Sequence, residues 1–213
     1  ECLDLPPKVY TKRQVELTKE QKQAYEQMRK EALMILEGDT FTTVNALTQL
    51  MRLQQVVAGS LKNEEGKTIL IKNNRLQTVL DILEETQGKV VIFAVFRSDI
   101  EQLAKLLAEK YGTNAVATYY GETPQAERQN IITRFQDPDS ELRYFISNPQ
   151  TGGRGITLTQ AKAMIFYSNS YDLELRIQAE DRIHRIGQEH SCTYIDLVSP
   201  DTVDEKILES LLQ

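Results

Sequence analysis

The spacing of hydrophobic positions changes character near residue 68 of this chain. Before it, two stretches repeat apolar residues every three or four positions. Thr18 to Glu37 sets Tyr25, Met28, Ala32 and Ile35 on one side, and Thr18 and Gln21 have capping-box spacing. Val44 to Ala58 repeats the period through Leu47, Leu50, Met51 and Gln54, with Gly38-Asp39 and Gly59 as breaks. Ahead of both, Pro6-Pro7 and the Val9–Val15 stretch read as extended, and Lys62 to Lys67 reads as an exposed loop. From Ile69 onward, short β-branched runs alternate with helical periods. The strands predicted are Lys89 to Phe96, Ala115 to Tyr119, Arg143 to Ser147, Ala163 to Tyr167 and Thr193 to Val198. The helices predicted between and after them are Leu76 to Thr86, Ser98 to Tyr111, Pro124 to Phe135, Leu173 to Ile186 and Val203 to Leu212. In the second of these Ile100, Leu103, Leu106 and Leu107 face inward; in the third Thr123 reads as the N-cap ahead of a proline at the first helical position. Strands alternating with helices of this length imply an α/β fold, a parallel sheet covered on both faces. The expected division is an extended segment and helical appendage over 1–67, then an α/β lobe over 68–213.

Composition narrows the class. The chain has 213 residues, 40% hydrophobic and 26% charged, which is enough apolar material for a core. Its longest apolar run, Val90 to Phe96, is seven residues, where a membrane-spanning helix needs about twenty. Two cysteines, Cys2 and Cys192, cannot make a disulfide scaffold, and no signal peptide opens the chain, so an intracellular setting and no membrane partner are expected. The first residues are Glu1-Cys2-Leu3-Asp4 rather than Met, as expected for part of a longer protein. Net charge is −6, yet Lys8 to Lys30 holds seven basic residues against three acidic ones. That segment is either a basic face or a solvated helix surface.

Several familiar chemistries are missing. Gly66-Lys67-Thr68 lacks the leading glycine of a phosphate loop, because position 61 is Leu61, and Glu64-Glu65 would set two anions beside the phosphates. Asp204-Glu205 falls in a helix rather than at a strand end, unlike a magnesium-holding pair. His184, His190 and Cys192 lack a fourth ligand for zinc. Two segments are more telling. In the helix expected over Leu173 to Ile186, Gln178, Arg182 and Arg185 line one face, and Ala179, Ile183 and Ile186 form the buried stripe beside it. Two guanidinium forks so placed suit a phosphate chain; the other reading pairs both arginines with Glu180 or Asp181. Thr151-Gly152-Gly153-Arg154-Gly155 follows a strand with three glycines, which allows close backbone approach to a ligand or simply a tight turn.

Taken in order, Lys89–Phe96, Tyr120–Arg128, Thr151–Thr159 and the string Gln178-Ala-Glu-Asp-Arg-Ile-His-Arg-Ile-Gly-Gln188 closely resemble the second RecA-like lobe of Swi/Snf-family, helicase-like DNA-dependent ATPases. The resemblance is strong from Gly88 onward, extends to Thr202–Leu208, and is looser through Leu17-Thr18, Gln21 and Tyr25. It implies that ATP with Mg²⁺ is held mainly by a separate N-terminal lobe. This lobe would then supply Arg182 and Arg185 as arginine fingers, with Gln178, Gly153 and Gly155 near the nucleotide. Arg97, Ser98, Gly121, Thr123, Thr151, Gly152 and Arg154 would hold the backbone of duplex DNA. The implied function is half of an ATP-driven double-stranded-DNA translocase, inactive without its partner lobe. The alternatives are a docking or regulatory module on the same fold, or a strand-separating helicase. The chain departs from the family pattern at Tyr171-Asp172-Leu173, where Trp-Asn-Pro is usual, and at Arg154 and Asn148-Pro149-Gln150.

Overall fold

The computed structural model describes residues 5–37, 42–63, 65–151 and 155–212. Cys2, the Gly38-Asp39 break, Glu64, and Gly152, Gly153 and Arg154 of the glycine motif lie outside the described residues.

The apolar runs become a six-stranded sheet. Its strands are β1 (Lys8–Gln14), β4 (Lys89–Phe93), β5 (Val116–Tyr119), β6 (Tyr144–Ser147), β7 (Ala161–Phe166) and β8 (Cys192–Val198), in the order β1-β8-β7-β4-β6-β5. Every pairing is parallel, with Val90 opposite Tyr144 and Ala163, and Phe93 opposite Ser147 and Phe166. Alternate residues point to opposite faces, so each central strand feeds two cores. Val90, Ile92, Ile146 and Ile165 pack beneath α3 (Arg75–Glu85) and α4 (Arg97–Tyr111). Val91, Phe93, Phe145 and Phe166 pack beneath α5 (Gln125–Gln136) and α6 (Leu173–Glu180). Burial on both faces explains why these strands read as unbroken apolar runs rather than as alternation. Each such side chain contributes about 1.5–3 kcal/mol.

The appendage is α1 (Lys19–Glu37) and α2 (Thr43–Ala58), followed by a hairpin of β2 (Ser60–Lys62) and β3 (Thr68–Leu70), whose strands flank the stretch expected as an exposed loop. The capping box forms: the Gln21 amide donates to Thr18 Oγ1 at 3.2 Å, and the Thr18 amide to Gln21 Oε1 at 3.0 Å. Gln21 Nε2 also reaches the Val56 and Val57 carbonyls, each at 3.0 Å, and so satisfies the end of α2. There Gly59 has φ 106°, and a Cβ on it would meet the Asn73 side chain at 2.1 Å. The buried face of α2 includes Leu50 and Gln54 of the expected residues but not the other two. Leu47 and Met51 are exposed, while Leu53, Val56 and Val57 form a third core with Tyr25, Ile71 and Val203 of α7 (Val203–Leu211). The second half of α2 is what meets α1 and α7, and that contact rotates the buried side.

The opening segment also differs. It was grouped with the appendage, but β1 is the sixth strand, paired with β8 from Lys8↔Cys192 to Gln14↔Val198. β8 is buried along most of its length, and an uncovered neighbour would leave its backbone groups unpaired. Arg75 ties the two ends of the lobe together. It is fully buried and donates to the Tyr167 carbonyl, to Asp204 of α7 and to Ser199 Oγ.

Candidate functional site: a basic cleft beyond the strand ends

In an all-parallel sheet every strand ends on the same side, where ligands of open α/β folds bind. α6 begins there, capped by Asp172, whose carboxylate accepts the Leu175 amide at 3.1 Å. The helix was expected to reach Ile186, but it stops at Glu180. Tighter turns follow: the Arg182 amide donates to the Ala179 carbonyl, and the Ile183 and His184 amides both donate to the Glu180 carbonyl. The turns are held from outside the helix. Leu158 N–H donates to the Arg182 carbonyl at 2.9 Å. Buried Gln188 directs its Nε2 at the carbonyls of Ile183, Ala161 and Thr159, at 2.8, 3.0 and 3.1 Å. These tertiary partners outcompete another helical turn. One consequence is that Ile186, expected in the buried stripe, is 71% exposed, while Ala179 and Ile183 are buried as expected.

Arg182 and Arg185 therefore project from a turn rather than a helix face, yet they line one cleft. Together with Gln178, Gly155, Ile156, Asp181 and Leu5 they surround about 730 Å³ of open space. The two arginines differ in environment. Arg182 is 6% exposed, lies over the Phe93 ring at 5.1 Å, and donates from Nη2 to the Pro149 carbonyl at 3.2 Å. Its Nη1 is buried with no partner. Among the described residues no carboxylate pairs with it, and burial pushes its pKa down to about 10. Arg185 is half-buried, with long contacts from Nη1 to the Gly155 and Ile156 carbonyls at 3.5 and 3.4 Å. Gln178 is exposed and bonds Glu174 at 3.0 Å. Gly155 has φ 99°, a backbone setting that favours glycine. The pairing of the arginines with Glu180 or Asp181 does not occur. Glu180 is taken by Arg176, Lys8 and Tyr10, and Asp181 by Lys8.

The described residues among those expected at DNA follow the ends of their strands, apart from this cleft. Arg97 opens α4 and Ser98 follows, half-buried; Gly121 is exposed in the turn after β5, and Thr151 is half-buried after β6. Arg97 already has two acidic neighbours, Glu101 at 2.6 Å and Glu122. Thr123 is not the N-cap of α5. Its hydroxyl accepts the Tyr120 amide at 3.0 Å and donates to the Thr118 carbonyl at 3.1 Å, and Pro124 holds the cap position without a side-chain bond. The tight turn after β5 uses that hydroxyl, so none is left for the helix. Arg128 donates to the Thr123 and Tyr120 carbonyls at 3.1 and 3.2 Å.

Of the remaining candidates, Asp204 serves Arg75 and Cys192 is buried, while His184 lines the cleft and its Nε2 bonds the Pro6 carbonyl at 2.7 Å. Among the described residues no cluster of three or more His, Cys, Asp or Glu could hold a metal. Among the same residues no helix is long and apolar enough to cross a membrane.

Residues 71–187, more than half of the chain, match the family model described as the helicase conserved C-terminal domain. The chain is 28% identical, over 96% of its length, to the human SWI/SNF-related matrix-associated actin-dependent regulator of chromatin subfamily A member 1. It is 28% identical, over 97%, to the putative ATP-dependent helicase/translocase YwqA of Bacillus subtilis. The Sulfolobus solfataricus SWI2/SNF2 ATPase core, solved in complex with dsDNA, superposes with TM-score 0.75 and 26% identity, covering 97% of this chain and 44% of that one. This chain is a C-terminal RecA-like lobe of the Swi/Snf helicase family. It spans 21% of the human relative and 23% of the Bacillus one.

Seen as a Swi/Snf lobe, the molecule carries a polar substructure that the sequence reading missed. Arg176 is buried over the Phe166 ring at 3.6 Å, donates to Glu180 at 2.7 Å, and grips both Asp196 oxygens at 2.6 and 3.1 Å. Lys8 and Tyr10, on the same side of β1, close on Glu180 from the other direction. Their i, i+2 spacing was a visible signal once Lys8–Gln14 is taken as a strand of the main sheet. Gln188 and Asp99 carried no such signal, because only the fold buries them.

Proposed function

We propose that this lobe is the C-terminal half of an ATP-dependent translocase on double-stranded DNA, completed by an N-terminal RecA-like lobe of the same protein. The observation that carries the reading is Arg182: a buried guanidinium with no counter-ion and an unpartnered Nη1 among the described residues, and Arg185 beside it on one cleft. Such a cation is stabilised by an anionic ligand. The cleft fits the phosphate end of a nucleotide and offers no acidic cluster for its magnesium, which the N-terminal lobe would hold.

When bound, ATP would supply a γ-phosphoryl group whose equatorial oxygens are negative in the transition state while further charge develops on the leaving oxygen. Arg182 and Arg185 neutralise that charge, an effect worth about 10³–10⁵ in rate in comparable enzymes. Gln178, Gly153 and Gly155 border the same nucleotide. Ser98, Gly121, Thr151 and Gly152 hold the DNA backbone through hydroxyls and amides without reading bases, and Arg97 and Arg154 add charge; Thr123, whose hydroxyl and amide are both taken by the turn after β5, does not. Closing and opening of the two lobes then advances the protein along the duplex.

The test is ATP hydrolysis by the full-length protein with and without duplex DNA, against Arg185→Ala. Stimulation by duplex, and loss of turnover with nucleotide binding retained, supports the reading. An unchanged Arg185→Ala enzyme refutes it. The isolated 213-residue lobe is expected to neither hydrolyse ATP nor bind it tightly.

A further inference from the structure

The turn that carries both arginines is fastened by a segment far away in sequence. Pro6 to Tyr10 runs beside it, and each contact lands next to an arginine. Lys8 Nζ reaches Glu180 at 3.2 Å and Asp181 at 3.4 Å, and Tyr10 Oη donates to Glu180 at 2.7 Å. The Pro6 carbonyl can only accept, so His184 carries its proton on Nε2 for that 2.7 Å bond. Leu5 lines the cleft itself. Residues 180, 181 and 184 thus bracket Arg182 and immediately precede Arg185.

Sheet pairing alone does not require these bonds. β1 is already held to β8 by a seven-residue register, and Tyr10 stacks on Tyr194 at 5.2 Å. The Lys8, Tyr10 and Pro6 contacts go elsewhere, to the point where α6 ends and the turns begin. On the far side Glu180 is gripped by Arg176, which Asp196 of β8 holds in place. The arginine turn therefore lies between the Arg176–Asp196 ion pair and the Pro6–Tyr10 segment.

We propose that Lys8 and Tyr10 are positioning residues: the strand leading into this lobe clamps the 181–186 turn and thereby sets where Arg182 and Arg185 point. The proposal rests on the arginine reading above. Because the segment enters the lobe from its N-terminal side, a pull on it shifts the turn, which couples the path of the incoming chain to the arginine geometry. Small misplacements of such groups are expensive: about 1 Å costs up to roughly a hundredfold in rate.

The experiment uses the full-length protein with Lys8→Met, the rescue variant Lys8→Arg, Tyr10→Phe and Arg182→Ala. Two quantities are read: amide hydrogen exchange of residues 181–186 and steady-state ATP hydrolysis. We expect Lys8→Met to speed exchange in 181–186 by roughly tenfold, with β8 amides unchanged. Its kcat falls roughly ten- to a hundredfold at constant KM for ATP, and Lys8→Arg restores both. Tyr10→Phe, which keeps the stack on Tyr194, shows the same pattern more weakly. In the Arg182→Ala background Lys8→Met costs little more. Unchanged exchange in Lys8→Met overturns the clamp. So does faster exchange with full turnover while Arg182→Ala is inactive. If Arg182→Ala itself keeps full turnover, the arginine reading fails instead, and the exchange data alone then decide the clamp.

Discussion

Arg182 costs this lobe stability, and the cost can be measured. Burial lowers its pKa from the ordinary arginine value to about 10. At about 1.4 kcal/mol per tenfold change in proton affinity, holding the charge there opposes folding by about 3 kcal/mol. In Arg182→Met that opposition disappears. The thioether stays against the Phe93 ring, where the guanidinium now lies at 5.1 Å. What is lost is the bond to the Pro149 carbonyl, worth about 1 kcal/mol net. The variant lobe should therefore be more stable by about 2 kcal/mol, or roughly 4–8 °C in Tm for a chain of this length. Urea and thermal unfolding of the lobe at pH 7 measure the gain. Hydrolysis by the full-length variant, expected to drop at least about a thousandfold, measures what the charge is for. A variant less stable than the parent, or one that still turns over ATP, would falsify the idea that this cation is kept for a ligand at the expense of the fold.

Asp99 is expected to make the lobe's stability depend on pH. It is fully buried, neither carboxylate oxygen has a partner, and burial raises its pKa to about 8 against the lowering effect of Arg75. A raised folded-state pKa contributes stability that is complete below the unfolded value near 3.8 and lost as pH climbs through 8. Stability should thus decline between pH 5 and 7 by up to about 1.4 kcal/mol per unit relative to Asp99→Asn, and a difference flat with pH refutes this. Asp204→Ala leaves Arg75 buried with its charge unpaired, so unfolding should show a loss of about 3–5 kcal/mol; a loss under 1 kcal/mol would contradict the role given to that pair. Glu122→Gln removes one of the two carboxylates on Arg97. If Arg97 meets phosphate, duplex affinity of the full-length protein rises at low salt and its log–log salt slope steepens by about 0.9; an unchanged slope removes Arg97 from the DNA surface.

How much of this was legible beforehand differs from element to element. Val90–Phe93 reads as a buried strand because four consecutive apolar residues leave no polar face, and the Thr18/Gln21 cap reads directly because its bonds are three residues apart. The span of α6 did not read correctly. Apolar spacing continued through Ile183 and Ile186, but Leu158 and Gln188 compete for the backbone after Glu180. Thr123 failed for a related reason, since a hydroxyl that suits a helix cap also suits the turn before it.

By itself the sequence determined the alternation of strands and helices, the absence of a phosphate loop, and the family, through a contiguous string from Gln178 to Gln188. Those properties are local, written in neighbouring residues. Only the tertiary structure decided that β1 completes the sheet, that Arg182 is buried without a counter-ion among the described residues while Arg185 is half-open, and that Lys8 and Tyr10 both bond Glu180. These depend on partners as far apart in the chain as Lys8 and Cys192. Burial and charge pairing across such separations arise from the packing of whole elements, which no local pattern encodes.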